Sequence, residues 1–341
     1  MSPVRVVIAD RSPAVRAVVK RLIARSPALE VVGEAADGGQ LVEAVRCHCP
    51  DVIVTEFLDS DLDCDSPLGR TTGRCPTPVI VLTSRPDTAS GHVPYWGSSS
   101  GVVEVLQKPQ VPEAWNDLAP TLHSLLQKVG VPTSVPAGDD LPVADPPIRS
   151  KLEYVAIGGS TGGPGAVVRL LREFGTGFSA GVAVVQHIAD GFEHSFADWL
   201  TQELEADVRV AEPGEGLDPG VIRVGPVGSH LLIDRGGTLR LDDVTPPRRG
   251  HRPSADLLFR SFLSVGADRV AAVVLSGMGD DGVAGMRALR DAGALTLAQD
   301  EASSAVYGMP KLAIQSGAAD MALTPTEIGR MLARLMRGGS G

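Results

Sequence analysis

Three short stretches of this chain hold side chains able to do chemistry together. The first is Ile157-Gly158-Gly159-Ser160-Thr161-Gly162-Gly163-Pro164, an apolar run that ends in glycines around a hydroxyl pair. The proline marks the start of a helix read over 165–174, since the N–H it lacks would be an orphan in the first turn. Such a turn suits phosphate binding, dinucleotide binding or an exposed nucleophile. Gly158 and Gly163 have Walker-A spacing, but Pro164 and Gly165 stand where Lys and Ser/Thr are needed. No glycine here starts a Gly-x-Gly-x-x-Gly fingerprint, because Ser160 or Thr161 falls on the middle glycine. Gly158-x-Ser160-x-Gly162 fits a nucleophile elbow, a pattern short enough to arise by chance in a chain with 39 glycines. Taken alone, the stretch fits a structural glycine turn equally well.

The other two stretches weigh against a mere turn. Residues 181–186 form an apolar run ending at His187, and residues 269–275 form another that ends in Ser276-Gly277-Met278-Gly279-Asp280-Asp281-Gly282. Helices are read after each, to 204 and over 283–292. In an open parallel sheet, sites lie beyond the carboxyl ends of the strands, so a serine, a histidine and an aspartate would meet at one edge. That set is the Ser-His-Asp constellation of acyl transfer, which is recognised by roles and not by order. The order Ser, His, Asp differs from the Ser, Asp, His of α/β-hydrolases. The last histidine, His251, is followed by a long segment read as strand-rich, which makes the standard elbow assignment awkward.

Strands that end in such residues need a scaffold, and 341 residues suffice for two domains. With 43% hydrophobic and 21% charged residues, the composition is that of a globular protein, and no apolar run is long enough to span a bilayer. No membrane insertion is expected. The chain opens on a strand pattern without a signal peptide, so the expected location is the cytoplasm. A formal charge of −10 argues against nucleic-acid binding. Cys47, Cys49, Cys64 and Cys75 do not have a common zinc spacing and read as free thiols. Asp280-Asp281 lacks the histidine or third carboxylate of a metal pair, and neither metal nor cofactor is expected there.

In the N-terminal part, strand-type runs at 4–10, 30–34, 51–55 and 79–83 alternate with helices at 12–25 and 39–47. Apolar runs in this alternation imply a parallel sheet covered on both faces. Asp10, Glu56, Thr83 and Lys108 fall at or just after strand ends. This set resembles the receiver domain of response regulators, which implies a flavodoxin-like fold with a five-stranded parallel sheet over 1–125. That family has two adjacent acids, a phosphorylated Asp, a Thr/Ser and a Lys-Pro in this order. Here Arg11 replaces a metal-binding carboxylate and Glu56 replaces the phospho-acceptor. The Met-Pro and Asp-Gly steps of the family are missing too, leaving Asp59-Ser60-Asp61. Mg²⁺ wants oxygen ligands in strict geometry, and Arg11 brings positive charge instead, so no Mg²⁺ is expected. The expectation is a pseudo-receiver in which Arg11 pairs with Glu56 or Asp10; the alternative has Arg11 in solvent with weak phosphorylation surviving. Residues 87–100 carry Gly and Ser without helical periodicity, so the fourth helix is expected to be degenerate or absent. A proline-rich linker over 126–150 follows, and then a second α/β domain over 151–337.

Residues 151–325 resemble the catalytic domain of chemotaxis protein-glutamate methylesterases, the CheB family. The resemblance lies in the Ser160 stretch, in Gln186-His187-Ile188-Ala189-Asp190-Gly191-Phe192, in Gly225-Pro226 leading to His230-Leu231, and in His251-Arg252-Pro253-Ser254-Ala255-Asp256-Leu257-Leu258-Phe259. Leu275 to Gly282 and Ala298-Gln299-Asp300-Glu301-Ala302-Ser303-Ser304 leading to Tyr307-Gly308-Met309-Pro310 complete it. The resemblance implies a doubly wound, mainly parallel α/β domain that demethylates glutamate methyl esters and deamidates glutamines on methyl-accepting receptors. Ser160 would be the nucleophile, His187 the proton carrier and Asp281 its orienting acid, because the family's loop reads Gly-Met-Gly-Asn-Asp-Gly. Asp280 replaces the Asn and is expected to raise the pKa of Asp281 if both are poorly solvated. The Met278 N–H and a donor from the Ser160 loop would form the oxyanion hole, with Thr161 helping to orient His187. His194 and His230 read as helix or loop positions and not as ligands, and Met278, Met286 and Met309 as loop and core packing. A signalling kinase or a receptor tail would be the partner of the N-terminal domain. In this family the unphosphorylated receiver covers the active site, so Glu56 as a mimic implies an open enzyme and an Arg11 lock a closed one. Two other readings stay open: a regulatory or scaffold protein with vestigial catalysis, and a serine esterase acting on a non-receptor methyl ester.

Overall fold

The computed structural model describes residues 3–56, 77–84, 102–111, 113–129, 152–188 and 190–337. Asp59-Ser60-Asp61, Cys64, Cys75, the 87–100 segment and the linker from 130 to 150 lie outside the described residues. The chain divides into two units, Met1–Pro132 and Thr133–Gly341.

In the first unit the strands are β1 (Val4–Ala9), β2 (Leu29–Ala35), β3 (Val52–Thr55), β4 (Val79–Thr83) and β5 (Val102–Gln107). They form one sheet in the order β2-β1-β3-β4-β5 with every pair parallel, the flavodoxin-like order implied by the sequence. Every residue of β3 and β4 is buried, as layers on both faces require. Helix α1 (Pro13–Ile23) starts at Ser12, whose side chain accepts from the Val15 N–H. Helix α2 (Gly38–His48) is capped in the same way by Asp37. Helix α3 (Trp115–Val129) runs into the stretch read as linker, because Leu122, Leu125 and Leu126 are fully buried and hold its last turns.

The second unit alternates β6 (Tyr154–Gly159), α4 (Gly163–Arg172), β7 (Gly181–Gln186), α5 (Glu193–Leu204), β8 (Asp207–Val210) and β9 (Val221–Val224). An antiparallel hairpin of β10 (His230–Ile233) and β11 (Leu239–Asp242) interrupts it. Then come α6 (Ala255–Ser261), β12 (Val270–Val274), α7 (Val283–Asp291), β13 (Leu295–Gln299), α8 (Met309–Gln315), β14 (Met321–Leu323) and α9 (Pro325–Met336). The chain after His251, read as strand-rich, thus holds more helix than strand. Its apolar residues recur at helical spacing, as Leu258, Phe259 and Phe262 do, and all three are fully buried.

The large sheet has the order β14-β13-β12-β6-β7-β9-β8, again with every pair parallel. Ala156, Ala183, Ala272, Val274 and Ala298 on one face pack with Phe259 of α6, Met286 of α7 and Met309 of α8. Val155, Ile157, Val182 and Val184 alternate with them, are buried on the other face and belong to the layer of α4, α5 and α9. There α9 crosses α4 so closely that a Cβ on Gly329 would lie 2.3 Å from the Leu170 carbonyl oxygen. Strand β6 sits between β12 and β7, with Gly158 opposite Val274 and Gly159 opposite Gln186. The chain leaves β6 in one direction for β7 and later returns on its other side as β12. This is the switch point at which open α/β sheets place their sites.

Candidate active site

The three strand ends bring Ser160, His187 and the 276–282 loop side by side. The Ser160 N–H donates to the Ser276 carbonyl at 3.0 Å, and the His187 N–H to the Gly159 carbonyl at 2.9 Å. His187 Nε2 lies 2.9 Å from Asp281 Oδ2, a carboxylate only 2% exposed. Asp281 also accepts from Ser254 Oγ at 2.7 Å and from the N–H groups of Ala255 at 2.7 Å and Asp256 at 3.1 Å. Burial pushes the Asp281 carboxyl up, but the hydrogen bonds from His187 and Ser254 outweigh it. With the His187 charge and the Ala255 N–H they bring the pKa down to about 2. Asp281 is therefore a carboxylate, so Nε2 carries the proton that His187 donates. Nδ1 is left as the acceptor, buried and without a hydrogen-bond partner among the described residues.

Asp280 does not raise its neighbour. Its carboxylate turns outward into an ion pair with Arg249, so the added charge is neutralised there, and the two aspartates face different partners. Thr161 does not hold His187 either: its carbonyl accepts from Ser276 Oγ at 2.7 Å, and no hydrogen bond joins it to the imidazole. The His187 ring is instead covered by His251, with ring centroids 3.8 Å apart and planes 2° from parallel.

Ser160 sits on a turn whose flanking glycines leave no room for side chains. Gly162 has φ +76°, and a Cβ there would lie 2.4 Å from Ala305 Cβ and 2.8 Å from Ser276 Oγ. A Cβ on Gly277 would lie 2.7 Å from Ser160 Cβ, so the 276–282 loop closes directly onto the serine. The Gln186 side-chain amide donates to the Ser160 carbonyl at 2.7 Å and braces the turn from below. The N–H groups of Thr161 and Met278 make no hydrogen bond among the described residues. The Met278 side chain is 56% exposed at the rim, whereas Met286 and Met309 are buried in the core.

Several contributors were not singled out in the sequence. Ser254 stands at the N-cap of α6, yet its hydroxyl makes no cap bond and goes to Asp281. His230 is fully buried; its Nδ1 accepts from the Ser254 N–H at 3.1 Å, so Nε2–H points to the Pro246 carbonyl at 3.3 Å. It is a structural histidine that steadies Ser254, and it opens strand β10 where the sequence reads as helix or loop, because pairing with β11 sets that register. His194, at the start of α5, lines a small cleft with Asp198, Arg209 and Glu215. His251 carried no role in the sequence because nothing in a motif tells which ring it will face.

In the first unit, Lys108 is the cation between the two acids, where the sequence reading had put Arg11. Its Nζ lies 2.5 Å from Asp10 Oδ2 and 2.7 Å from Glu56 Oε1. Arg11 is exposed. Lys108 reaches the acids because its own N–H bonds the Thr83 carbonyl at 2.7 Å, which continues the β4–β5 ladder beyond the strand end. Asp10 Oδ1 accepts from the Ser12 N–H at 2.7 Å, and Glu56 Oε1 from the Ser84 hydroxyl at 3.2 Å. Mg²⁺ demands about six oxygens in octahedral array, whereas these carboxylate oxygens are committed to donors and Arg11 stands where a further acid would be needed. The residues present do not suit the ion.

The family model described as CheB methylesterase matches residues 155–332. The protein-glutamate methylesterase/protein-glutamine glutaminase 2 of Anaeromyxobacter dehalogenans is 39% identical over 338 residues, covering 98% of each chain. A protein-glutamate methylesterase/protein-glutamine glutaminase of Geobacter metallireducens is 34% identical over 336 residues, covering 95% of this chain and 96% of that one. The crystal structure of the Thermotoga maritima CheB methylesterase catalytic domain aligns with a TM-score of 0.52 at 32% identity, over 55% of this chain and all of that one. With a motif-bearing sheet edge of this geometry and relatives of this extent, the chain belongs to the CheB methylesterase family.

Proposed function

We propose that this chain is a serine hydrolase that removes the methyl group from glutamate methyl esters of methyl-accepting receptor proteins, and that it deamidates receptor glutamines at the same site. The observation that carries the reading is the His187–Asp281 hydrogen bond beside Ser160, at the ends of three adjacent parallel strands.

Ser160 Oγ attacks the ester carbonyl while its proton passes to His187 Nδ1. His187 then returns that proton to the departing methoxy oxygen, giving methanol and an acyl-enzyme. Water enters by the reverse sequence, its proton going to Nδ1 and then back to Ser160, and the glutamate carboxylate leaves. A glutamine follows the same course with ammonia as leaving group. Asp281 keeps the proton on Nε2 and stabilises the imidazolium in each step. The N–H groups of Thr161 and Met278, which make no hydrogen bond among the described residues, supply the oxyanion donors, each worth ~3–4 kcal/mol in the transition state. Neither metal nor cofactor enters these steps.

In the N-terminal unit, Glu56 in place of the phospho-acceptor and Arg11 in place of a metal-binding acid support a pseudo-receiver that signals without Mg²⁺ or phosphorylation, with Lys108 bridging Asp10 and Glu56. Its partners would be a signalling kinase or the receptor tail. No described helix is long and apolar enough to cross a membrane.

Methanol release from membranes carrying a methylated receptor tests the reading. Ser160→Ala is expected to reduce turnover at least ~10³-fold by removing the nucleophile. Retained release in that variant would end the assignment, and release from small methyl esters alone would point to a different substrate.

A further inference from the structure

The turn that carries His251 is built to a narrow specification. Arg248 and His251 exchange backbone hydrogen bonds of 3.0 and 2.9 Å, while Arg249 (φ 52°) and Gly250 (φ 86°) take left-handed backbone between them. Two central residues of positive φ make a type I′ hairpin turn. The turn is fastened on both sides: Arg248 Nε lies 2.9 Å from Asp256, whose side chain is fully buried in α6, and Arg249 pairs with Asp280 of the 276–282 loop. His251 is thereby laid flat on His187. Its own ring nitrogens make no hydrogen bond among the described residues, so stacking is the contact that orients it.

We propose that His251 is a positioning residue for the hydrolysis: its neutral ring covers one face of His187, holds that ring in the plane where Nε2–H meets Asp281 and Nδ1 is left to take the Ser160 proton, and a proton on His251 disables the site. The proposal rests on the reading of Ser160, His187 and Asp281 as a hydrolytic triad.

His251 acts on His187 through charge as well as through contact. His187 must become an imidazolium in each transition state, and two stacked rings 3.8 Å apart do not both accept a charge readily. Burial lowers the His251 pKa from its ordinary value and the His187 charge lowers it further, with Asp281 opposing them, so His251 stays neutral when His187 needs the proton. The other charges around the stack are Asp281 and Asp280 of the catalytic loop, Asp256 of α6, and Arg248, Arg249 and Arg252 of the turn itself. Arg248 and Arg249 are paired with Asp256 and Asp280, and Arg252 donates to the Asp243 carbonyl at 2.8 Å. As cations, the arginines disfavour a second positive charge on the stack.

The test uses the full chain. Ser160→Ala and covalent labelling of Ser160 by a fluorophosphonate first establish the triad; retained turnover in Ser160→Ala removes that reading whatever His251 does. With the triad standing, His251→Ala is expected to lower kcat about tenfold or more with KM little changed, and His251→Phe, which restores a flat ring, to recover most of it. The acid limb of log(kcat/KM) against pH should steepen toward a limiting slope of about two in the wild type and stay near one in His251→Phe. Imidazole ¹⁵N spectra should show His187 protonated at Nε2 in the wild type and in His251→Phe, with a tautomer mixture in His251→Ala. Thermal midpoints of the variants are compared alongside. Unchanged kcat in His251→Ala, a phenylalanine variant no better than alanine at equal thermal midpoint, or equal acid slopes in wild type and His251→Phe would each overturn the proposal while leaving the triad intact.

Discussion

Ser254 Oγ donates to Asp281 Oδ1 at 2.7 Å from the position that would otherwise cap α6. A serine that gives up its cap bond for a buried carboxylate ties the helix start to the chemistry. The carboxylate in turn gathers the N–H groups of Ala255 and Asp256, so α6 and the 276–282 loop share one anion. Removing the hydroxyl with Ser254→Ala takes away one charge-assisted hydrogen bond, worth ~1.5–3 kcal/mol. The expected outcome is a fall in kcat of about tenfold with little change in KM, and near-normal rates in Ser254→Thr. Steady-state methanol release measures both.

Asp281→Asn keeps the shape of the side chain but loses the anion that fixes the His187 tautomer. Its amide also brings N–H donors against N–H groups that already donate there. We expect kcat to drop ~10³–10⁴-fold, as when a triad acid is neutralised elsewhere. A drop of less than about tenfold would show that Asp281 does not orient His187.

The depressed pKa of Asp281 also has a sign in stability. Its folded value of about 2 lies below the unfolded carboxyl value of ~4, so the folded state favours the anion. Its contribution is fully present above pH ~5 and is lost as pH falls through the folded value, with a size of ~2 kcal/mol. Urea unfolding of the wild type and Asp281→Asn across this range should show the wild type losing ground relative to the variant as the pH falls. A gap that does not change with pH would contradict the assignment.

Gly162 and Gly175 separate strain from collision. Both have positive φ, +76° and +66°, but a Cβ on Gly175 meets nothing within 4 Å, whereas one on Gly162 would strike Ala305 and Ser276. Gly175→Ala should cost about 1 kcal/mol from backbone conformation alone. Gly162→Ala should cost ~2–4 kcal/mol and displace Ser160, lowering kcat as well as the thermal midpoint. Equal effects of the two on kcat would mean that the turn does not position the serine.

In the N-terminal unit, Lys108→Met would leave Asp10 buried without its cation. Breaking a buried pair from one side costs ~3 kcal/mol or more, so the first unit should melt earlier while the second is unaffected. Incubation of the whole chain with acetyl phosphate and Mg²⁺, followed by peptide mass spectrometry, is expected to leave Glu56 unmodified. An acyl phosphate on Glu56 would restore the receiver to a phosphorylated switch.

Much of this was legible from strand ends. Short apolar runs closing on Ser160, His187 and the Asp280-Asp281 step announce a parallel sheet, and such a sheet gathers whatever follows its strands at one edge. The same rule found Asp10, Glu56, Thr83 and Lys108. It works because strand direction and burial are local properties of the chain, visible as runs of β-branched and small apolar residues. Helix limits were less legible. The helix after Ser160 starts at Gly163, and α3 extends to Val129, because tertiary burial and not propensity sets where those turns stop.

The amino-acid sequence by itself determined the two α/β units, the side chains presented at each sheet edge and the family to which the chain belongs. Only the tertiary structure decided which atoms face one another. It turned Asp280 away to Arg249, placed Lys108 and not Arg11 between Asp10 and Glu56, gave Asp281 the Nε2 of His187, and laid His251 on the imidazole face. The physical reason is range. Strand and turn preferences act over a few neighbouring residues, whereas each of these pairings, Arg249 with Asp280 or His187 with Asp281, joins loops brought together only when distant strands align in register.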